Sequence, residues 1–309
     1  MKILITGGAG FIGSNIADRF LELGHEVIIV DNLVTGRREN VPAAATFYEM
    51  DICDDQLAGV FEREKPDIVD HHAAQMDVRK SVADPIYDAT VNVIGGLNLL
   101  QNCVKSGVKK FIFASTGGAI YGEQDYFPAD EAHPLRPLSP YGITKLTTEK
   151  YLYFYHQTYN LHYTVLRYAN VYGPRQNPHG EAGVVAIFSE RILNGEQPVI
   201  NGDGRQTRDY VFVGDVVRAN ELALSAGDNK IYNIGTGIET DVNTLFQTIS
   251  KYTGKNVAEK HGPAKPGEQQ RSVLNSSLIL RELGWKPTVR LEEGLKKTVE
   301  YFREKHGAN

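Results

Sequence analysis

The sequence predicts an α/β fold: a doubly wound parallel sheet followed by a smaller α/β C-terminal domain. Three observations predict it. Strand-like and helix-like stretches alternate through the first half of the 309 residues, the pattern of parallel strands covered by helices on both faces. The first strand-like run ends in a glycine cluster, Gly7-Gly8-Ala9-Gly10-Phe11-Ile12-Gly13, which opens a helical pattern. The second ends in an acidic residue, Asp31.

Each element has a local reason. Lys2–Ile5 is a short apolar run that stops at the glycines, a helical pattern follows over Ser14–Leu23, and Glu26–Val30 is the second apolar run. Strand, glycine turn, helix, strand and acid together form the dinucleotide-binding fingerprint of a Rossmann-type sheet. Glycine has no Cβ, so the turn can be tight and the backbone can approach a pyrophosphate. The helix N-terminus adds free N–H groups and a partial positive charge. Asp31 lies about 20 residues past the glycines, where a carboxylate accepts from the adenosine ribose hydroxyls. Its charge repels a 2′-phosphate, which favours NAD over NADP; Arg37 and Arg38 read as a solvated loop.

Further strands are expected at Thr46–Glu49, Ile68–His71, Lys110–Ala114 and Tyr163–Arg167, with helices near Gln56–Glu64, Pro85–Lys105 and Tyr141–Tyr159. After about Gly180 the rhythm changes to short apolar pieces, Gln197–Ile200 and Tyr210–Val213, between polar turns such as Asn201-Gly-Asp-Gly204. The expected division is residues 1–178 for the dinucleotide-binding domain and 179–309 for a smaller substrate-binding domain, some of whose segments return to the first. Tyr151–Tyr155 is an aromatic-rich helical patch suited to packing against a core or another helix.

Composition narrows the function. Hydrophobic content is 41% and charged content 23%, as in ordinary globular proteins. A formal net charge of −5 argues against nucleic-acid binding, which favours a basic excess. Cys53 and Cys103 are the only cysteines; their spacing suggests neither a disulfide framework nor a metal site. No stretch approaches a membrane span. The N-terminal apolar run is too short and glycine-broken for a signal peptide, so the cytoplasm is the expected compartment.

The second informative segment is Ser139-Pro-Tyr-Gly-Ile-Thr-Lys145. Ser139 suits an N-cap and Pro140 a first helical position. Tyr141 and Lys145 then lie one turn apart on one helical face. A nearby ammonium, joined by the positive ring of oxidised NAD, would favour the phenolate, making Tyr141 a general base toward an alcohol or sugar hydroxyl. With 16 tyrosines in the chain, such a spacing also occurs by accident: Tyr301 and Lys305 repeat it in a charged C-terminal helix and read as surface. Tyr141 differs because it follows Phe111-Ile-Phe-Ala-Ser-Thr-Gly-Gly-Ala-Ile-Tyr-Gly122, in which Ser115 and Thr116 offer hydroxyls at a strand's carboxyl end. Thr116 is the preferred working hydroxyl; a side chain capping its own turn is the alternative role.

These motifs together resemble the extended short-chain dehydrogenase/reductases, specifically the NAD-dependent nucleotide-sugar epimerases typified by UDP-glucose 4-epimerase. The resemblance spans nearly the whole chain through Thr6–Gly13, Asp31-Asn32, Asp51-Ile52, His72–Gln75, Ser115–Gly122, Tyr141–Lys145, Leu166–Arg175, Arg208–Tyr210 and Pro266–Glu268. It implies that Gly7, Gly10, Phe11, Ile12 and Gly13 cradle the pyrophosphate, that Asp31 and Asn32 hold the ribose, and that Asp51 and Ile52 flank the adenine. Ala73, Ala74, Gln75 and Asn92 would run beside the cofactor, with Tyr141 and Lys145 at the nicotinamide ribose. Asn170, Arg208 and Glu268 would bind the UDP moiety. Arg271 is a second candidate cation for the diphosphate, and Ser272 falls at the family's pocket-gating position, where a small residue would admit an N-acetyl group. The resemblance also implies a homodimer. Related dehydratases and decarboxylases carry acids directly after the threonine; here Gly117-Gly118 follow instead. The expected reaction is therefore C4 epimerisation of a UDP-hexose through transient oxidation. The alternatives are a UDP-glucuronate epimerase or a keto-sugar reductase on the same scaffold.

Overall fold

The computed structural model describes residues 1–179, 183–264 and 269–307. The first half runs β1 (Lys2–Thr6), α1 (Phe11–Glu22), β2 (Glu26–Asp31), β3 (Thr46–Glu49), α2 (Leu57–Glu64), β4 (Ile68–His71), α3 (Val78–Ala83), α4 (Pro85–Ala89), α5 (Gly95–Ser106), β5 (Lys110–Thr116), α6 (Gly117–Ile120), α7 (Pro140–Tyr159) and β6 (His162–Tyr168). The second runs β7 (Asn170–Tyr172), α8 (Val184–Leu193), β8 (Ile200–Asn201), β9 (Thr207–Phe212), α9 (Val213–Ala223), β10 (Lys230–Ile234), β11 (Glu239–Asp241), α10 (Val242–Thr253), β12 (His261–Gly262), β13 (Arg271–Ser272), α11 (Ser277–Leu283) and α12 (Leu291–Gly307).

Seven of these strands form one parallel sheet in the order β10-β6-β5-β4-β1-β2-β3. Strand alternation sends Ile3 and Ile5 to one face and Leu4 to the other. The first face packs against Ile16 and Phe20 of α1 and Val216 and Ala219 of α9. The second packs against Phe61 of α2, Leu99 and Leu100 of α5 and Leu152 of α7. The chain order reverses between β1 and β4, and ligands of such sheets bind beyond the carboxyl ends of the strands at that switch point. Thr6, Asp31, His71 and Thr116 end four of these strands.

Residues after 178 do more than form a separate cap. Strand β10 pairs with β6 in the main sheet, and α9, Ile279 and Trp285 complete the core cluster of Ile3 and Ile5. A second cluster, including Tyr172, Phe188, Phe246, Leu295 and Val299, joins α8, α10 and α12 around β7 and β9.

The helix expected over Pro85–Lys105 is interrupted. Between α4 and α5 lies a π-helical turn, Thr90–Ile94, which contains the buried Asn92. A π turn adds a residue to the helical cycle and commonly marks a functional site. Periodicity did not reveal it, because the insertion is local and the flanking pattern stays apolar.

Trp285 fastens the returning segment. It is 2% exposed, and its Nε1 donates to the Asp215 carbonyl at 2.9 Å. The fully buried Asp215 carboxylate also accepts from the backbone N–H groups of Thr288 and Val289. Trp285→Ala is expected to cost about 3–5 kcal/mol, read as a lower midpoint in urea unfolding followed by circular dichroism. An unchanged midpoint would mean that this segment lies outside the cooperative core.

Candidate active site

The glycine turn is a close-packed device. Gly7 has φ +71°, and a Cβ there would lie 2.6 Å from the backbone nitrogen of Ala73. A Cβ on Gly13 would lie 2.4 Å from the Gly7 carbonyl oxygen. Neither clash can be relieved by a flexible side chain. Gly10 is the N-cap of α1 and brings no side-chain cap to the first-turn N–H groups. The helix end carrying Phe11 and Ile12 therefore has the features of an anion site, and the cradle fits a dinucleotide pyrophosphate.

Asp31 is buried and braces the same turn. Its Oδ2 accepts from Ala9 N at 3.0 Å and its Oδ1 from Leu33 N at 2.8 Å. Burial raises its pKa despite those bonds. Each oxygen keeps acceptor capacity for a second donor. Asn32 donates to Asp51 at 2.7 Å, and Asp51 also accepts from Cys53 N at 2.8 Å, so these residues form one rim. Ile52 is buried, and a Cβ on Gly95 would lie 2.8 Å from its side chain. Arg37 pairs with Glu39, and Arg38 stacks on Phe47.

Beyond β4, Ala73 N donates to Thr6 Oγ1 at 3.2 Å; Ala74 follows on the same loop. Gln75 and Asn92 grip each other: Gln75 N donates to Asn92 Oδ1 at 2.9 Å, and Asn92 Nδ2 to the Gln75 carbonyl at 3.0 Å. The polar side chains of both residues are buried and turned to protein. Asn92 therefore shapes the loop and does not present a free amide.

Helix α7 begins as its sequence suggests, with Ser139 Oγ accepting from Gly142 N at 3.2 Å and Pro140 in the first turn. Gly142 permits close approach to α6, since a Cβ there would lie 2.6 Å from the Ala119 carbonyl oxygen. Lys145 is buried; its ammonium donates to the Ala114 carbonyl at 2.8 Å and lies 4.8 Å from the Phe113 ring centroid. Burial lowers its pKa to about 8, with the Asp88 and Glu149 carboxylates opposing the fall. Its Nζ is 5.9 Å from the Tyr141 ring centroid.

For Tyr141 the expectation joined two cations, the Lys145 ammonium and the ring of oxidised NAD. In the protein alone its pKa is raised, by burial first and then by the Asp88 carboxylate. The phenol is held neutral, and the stabilisation of a phenolate must come from a second positive charge.

The two candidate hydroxyls divide. Strand β5 extends through Thr116, beyond the expected end at Ala114. Ser115 is buried beneath the site and donates to Glu149 at 2.6 Å, so a catalytic hydroxyl role for Ser115 is corrected to a structural one. Thr116 is partly exposed, and its Oγ1 accepts from Ala119 N at 3.2 Å. It caps its own turn and still has its proton to donate. A Cβ on Gly118 would have only Thr116 Oγ1 and Asn170 Oδ1 within reach, at 3.9 and 4.0 Å. A Cβ on Gly117 would lie 2.4 Å from Leu274 Cδ1.

Strand β9 organises the remaining candidates. Arg208 lies opposite Ser272 of β13, and Asn170 lies opposite Tyr210. Arg208 donates to the Thr207 carbonyl at 2.8 Å. Arg271 is engaged elsewhere: it pairs with Glu239 at 2.6 and 3.0 Å and stacks on Phe127 at 3.8 Å. Its charge is already matched, which corrects its reading as a fixed cation for a diphosphate. Ser272 is a buried strand residue. Glu268 lies outside the described residues. Tyr301 and Lys305 sit on α12, where Lys305 pairs with Glu39 at 3.0 Å.

Two buried clusters were missed in the sequence. Glu149 pairs with Arg167 at 2.7 Å, both side chains being 2% exposed, and Arg167 donates to Tyr121 at 3.0 Å. Glu149 lies two turns after Tyr141 on the same face, a spacing that could have singled it out. Asp88, with Thr144, forms the other cluster. Among the described residues no group of histidines, cysteines or acids could hold a metal ion, and no helix is long and apolar enough to cross a membrane.

Comparison with known proteins agrees with this geometry. The NAD dependent epimerase/dehydratase family matches residues 3–235. The chain is similar to the UDP-glucose 4-epimerase of Thermotoga maritima, solved with UDP-glucose, at 54% identity and a TM-score of 0.97 over 99% of this chain and 100% of that one. It is similar to the Thermus thermophilus UDP-glucose 4-epimerase in complex with NAD, at 47% identity and a TM-score of 0.94 over 98% and 99%. The UDP-N-acetylglucosamine 4-epimerase of Methanobrevibacter ruminantium, in complex with UDP-N-acetylmuramic acid, shares 35% identity and a TM-score of 0.93 over 98% of each chain. The match over most of the chain, joined to the glycine cradle and the helical face that carries Tyr141 and the buried Lys145, places this protein in the NAD-dependent epimerase/dehydratase family.

Proposed function

We propose that the protein interconverts UDP-glucose and UDP-galactose by inverting C4 of the hexose. The observation that carries this reading is the Tyr141–Lys145 pair held at the end of β5 beside a hydroxyl turn without an acid. Leu274 fills the space an acidic side chain at position 117 would need, and Glu123 is exposed. A dehydration, which needs its own acid and base, has no carboxyl group in that turn.

Bound in this cradle, NAD would supply a reversible hydride acceptor for C4 of the sugar. The chain's residues do the rest. Gly7 to Gly13 and the α1 N-terminus receive the pyrophosphate, and Asp31 receives the adenosine ribose. Tyr141 takes the O4 proton at its phenolate oxygen and returns it after the sugar has turned over. Lys145 supplies part of the charge that burial withholds from the phenolate, and the nicotinamide ring of bound NAD would add to it. Thr116 donates to O4 and shortens the proton's path. Arg208 and Asn170 hold the UDP diphosphate while the 4-ketose rotates, and Glu268 holds the uridine ribose. The small Ser272, with the similarity to a UDP-N-acetylglucosamine 4-epimerase, supports UDP-GlcNAc and UDP-GalNAc as a second substrate pair.

The chain also carries an apolar face suited to a second copy of itself. Ile86 and Ile94 beside α4, and Ile143 and Phe154 on α7, are 79%, 57%, 51% and 48% exposed. Ile143 and Phe154 share one helical face. We infer a homodimer formed through this surface.

Purified protein incubated with UDP-glucose is expected to yield UDP-galactose without added NAD, and UDP-GlcNAc to yield UDP-GalNAc. Tyr141→Phe should lose about 10²–10⁴-fold in turnover; near-normal turnover would remove Tyr141 as the base.

Lys145 carries its charge below its pKa of about 8 and loses it as pH rises. The pH profile of kcat/KM should therefore fall on the alkaline side near pH 8. In Lys145→Arg, whose charge does not titrate there, that limb should move to higher pH even if the plateau is lower.

Ile86→Glu combined with Phe154→Glu should convert the dimer to a monomer in light scattering after gel filtration. Retention of a dimer would place the interface on another face.

A further inference from the structure

The chemistry above leaves one fully buried carboxylate unused beside the reacting pair. Asp88, on α4, has 0% exposure. Its Oδ1 accepts from Gln75 Nε2 at 2.9 Å and from Asn92 Nδ2 at 3.2 Å. Its Oδ2 accepts from the Thr144 hydroxyl at 2.9 Å. The donors come from the loop after β4, the π-helical turn, and the α7 turn between Tyr141 and Lys145. Two amide groups and a hydroxyl donate to it, so the pocket is shaped for an acceptor.

We propose that Asp88 is a positioning residue: it fastens the first turns of the Tyr141 helix and the cofactor-side loop to a single buried point. The proposal rests on Tyr141 being the base. The geometry gives a specific reason for it. Helix α7 starts at Pro140, so its first turn lacks N–H partners from a preceding turn. The Ser139 cap holds Gly142 N, and the Asp88–Thr144 bond ties down the next residues. The same carboxylate holds Asn92, whose amide in turn fixes Gln75 N. Slack at Asp88 would move the base and the cofactor-side loop together, and a misplacement of about 1 Å at a reacting group costs on the order of 10²-fold.

The charge adds a second signature. The titratable groups bearing on this region are Tyr141 and Lys145, both of which feel the Asp88 carboxylate, Glu149, which faces Lys145, and the buried His71 of β4, which feels the Lys145 charge. Asp88 favours the protonated form of Tyr141. Removing its charge makes Tyr141 easier to deprotonate, so the acid limb of activity moves to lower pH.

The test is steady-state kinetics of the full chain on UDP-glucose across pH. Asp88→Asn keeps the shape but removes the charge and replaces one carboxylate oxygen by an amide donor, so the Thr144 hydroxyl must turn from donor to acceptor or lose its partner. It should lower the plateau kcat at least about tenfold, leave KM within about threefold, and move the acid limb of kcat to lower pH. Thr144→Val should reproduce the loss of plateau, and Thr144→Ser should restore it. Unchanged kcat and unchanged pH limb in Asp88→Asn would overturn the proposal. So would equal losses in Thr144→Val and Thr144→Ser. Tyr141→Phe in the same assay separates the two assignments. If Tyr141→Phe stays active, the base is wrong; if it is inactive while Asp88→Asn behaves as wild type, only the positioning role fails.

Discussion

The ammonium of Lys145 is taken out of water and set against the last carbonyls of β5. Its bond to the Ala114 oxygen and its place over the Phe113 ring register helix α7 against the centre of the sheet. That one contact places Tyr141 a turn above it, beside the Thr116 hydroxyl turn. A charge in such surroundings is costly, and the fall of the lysine pKa to about 8 shows the cost. Two carboxylates, Asp88 and Glu149, keep the fall moderate.

The burial that disfavours the lysine's charge also disfavours a phenolate at Tyr141. The protein alone therefore favours the protonated form of the Tyr141 phenol. The glycine cradle and the α1 N-terminus sit at the switch point between β1 and β4, and a cationic ring directed from there toward Tyr141 would supply the missing charge.

Beneath the site lies a polar layer with no access to solvent. Glu149, Arg167, Ser115 and Tyr121 join α7 to β6, β5 and the residue preceding Gly122. Breaking a buried pair of this kind leaves an unmatched charge and costs on the order of 3–5 kcal/mol. The cluster of Asp88, Gln75, Asn92 and Thr144 does the same work on the cofactor side. Both clusters hold the face of α7 that carries Tyr141 and Lys145, so the rigidity of the base is a tertiary property.

Much of this was legible in the chain. The alternation of runs gave six of the seven main strands, because burial on both faces demands continuous apolar stretches in short, turn-bounded segments. Glycine positions at the end of β1 could be read because only glycine fits there, and the Ser139-Pro140 start of α7 could be read because capping chemistry is local. The seventh strand could not. Lys230–Ile234 is a short run that follows α9 late in the chain and gains its place in the main sheet only by pairing with β6. The sequence favoured Thr116 over Ser115 as the working hydroxyl but not for the reason the fold supplies: adjacent strand residues point to opposite faces, and which face meets Glu149 depends on the packing of α7. Arg271 and Arg208 look alike as residues, and only the fold brings Glu239 within 2.6 Å of the first. The sequence by itself determined the elements, the glycine turn and the tyrosine–lysine spacing, since these depend on neighbours within a few residues. Tertiary structure decided which charges are matched, which hydroxyl is free and how strongly the base holds its proton, since those depend on groups that meet only when distant segments fold together.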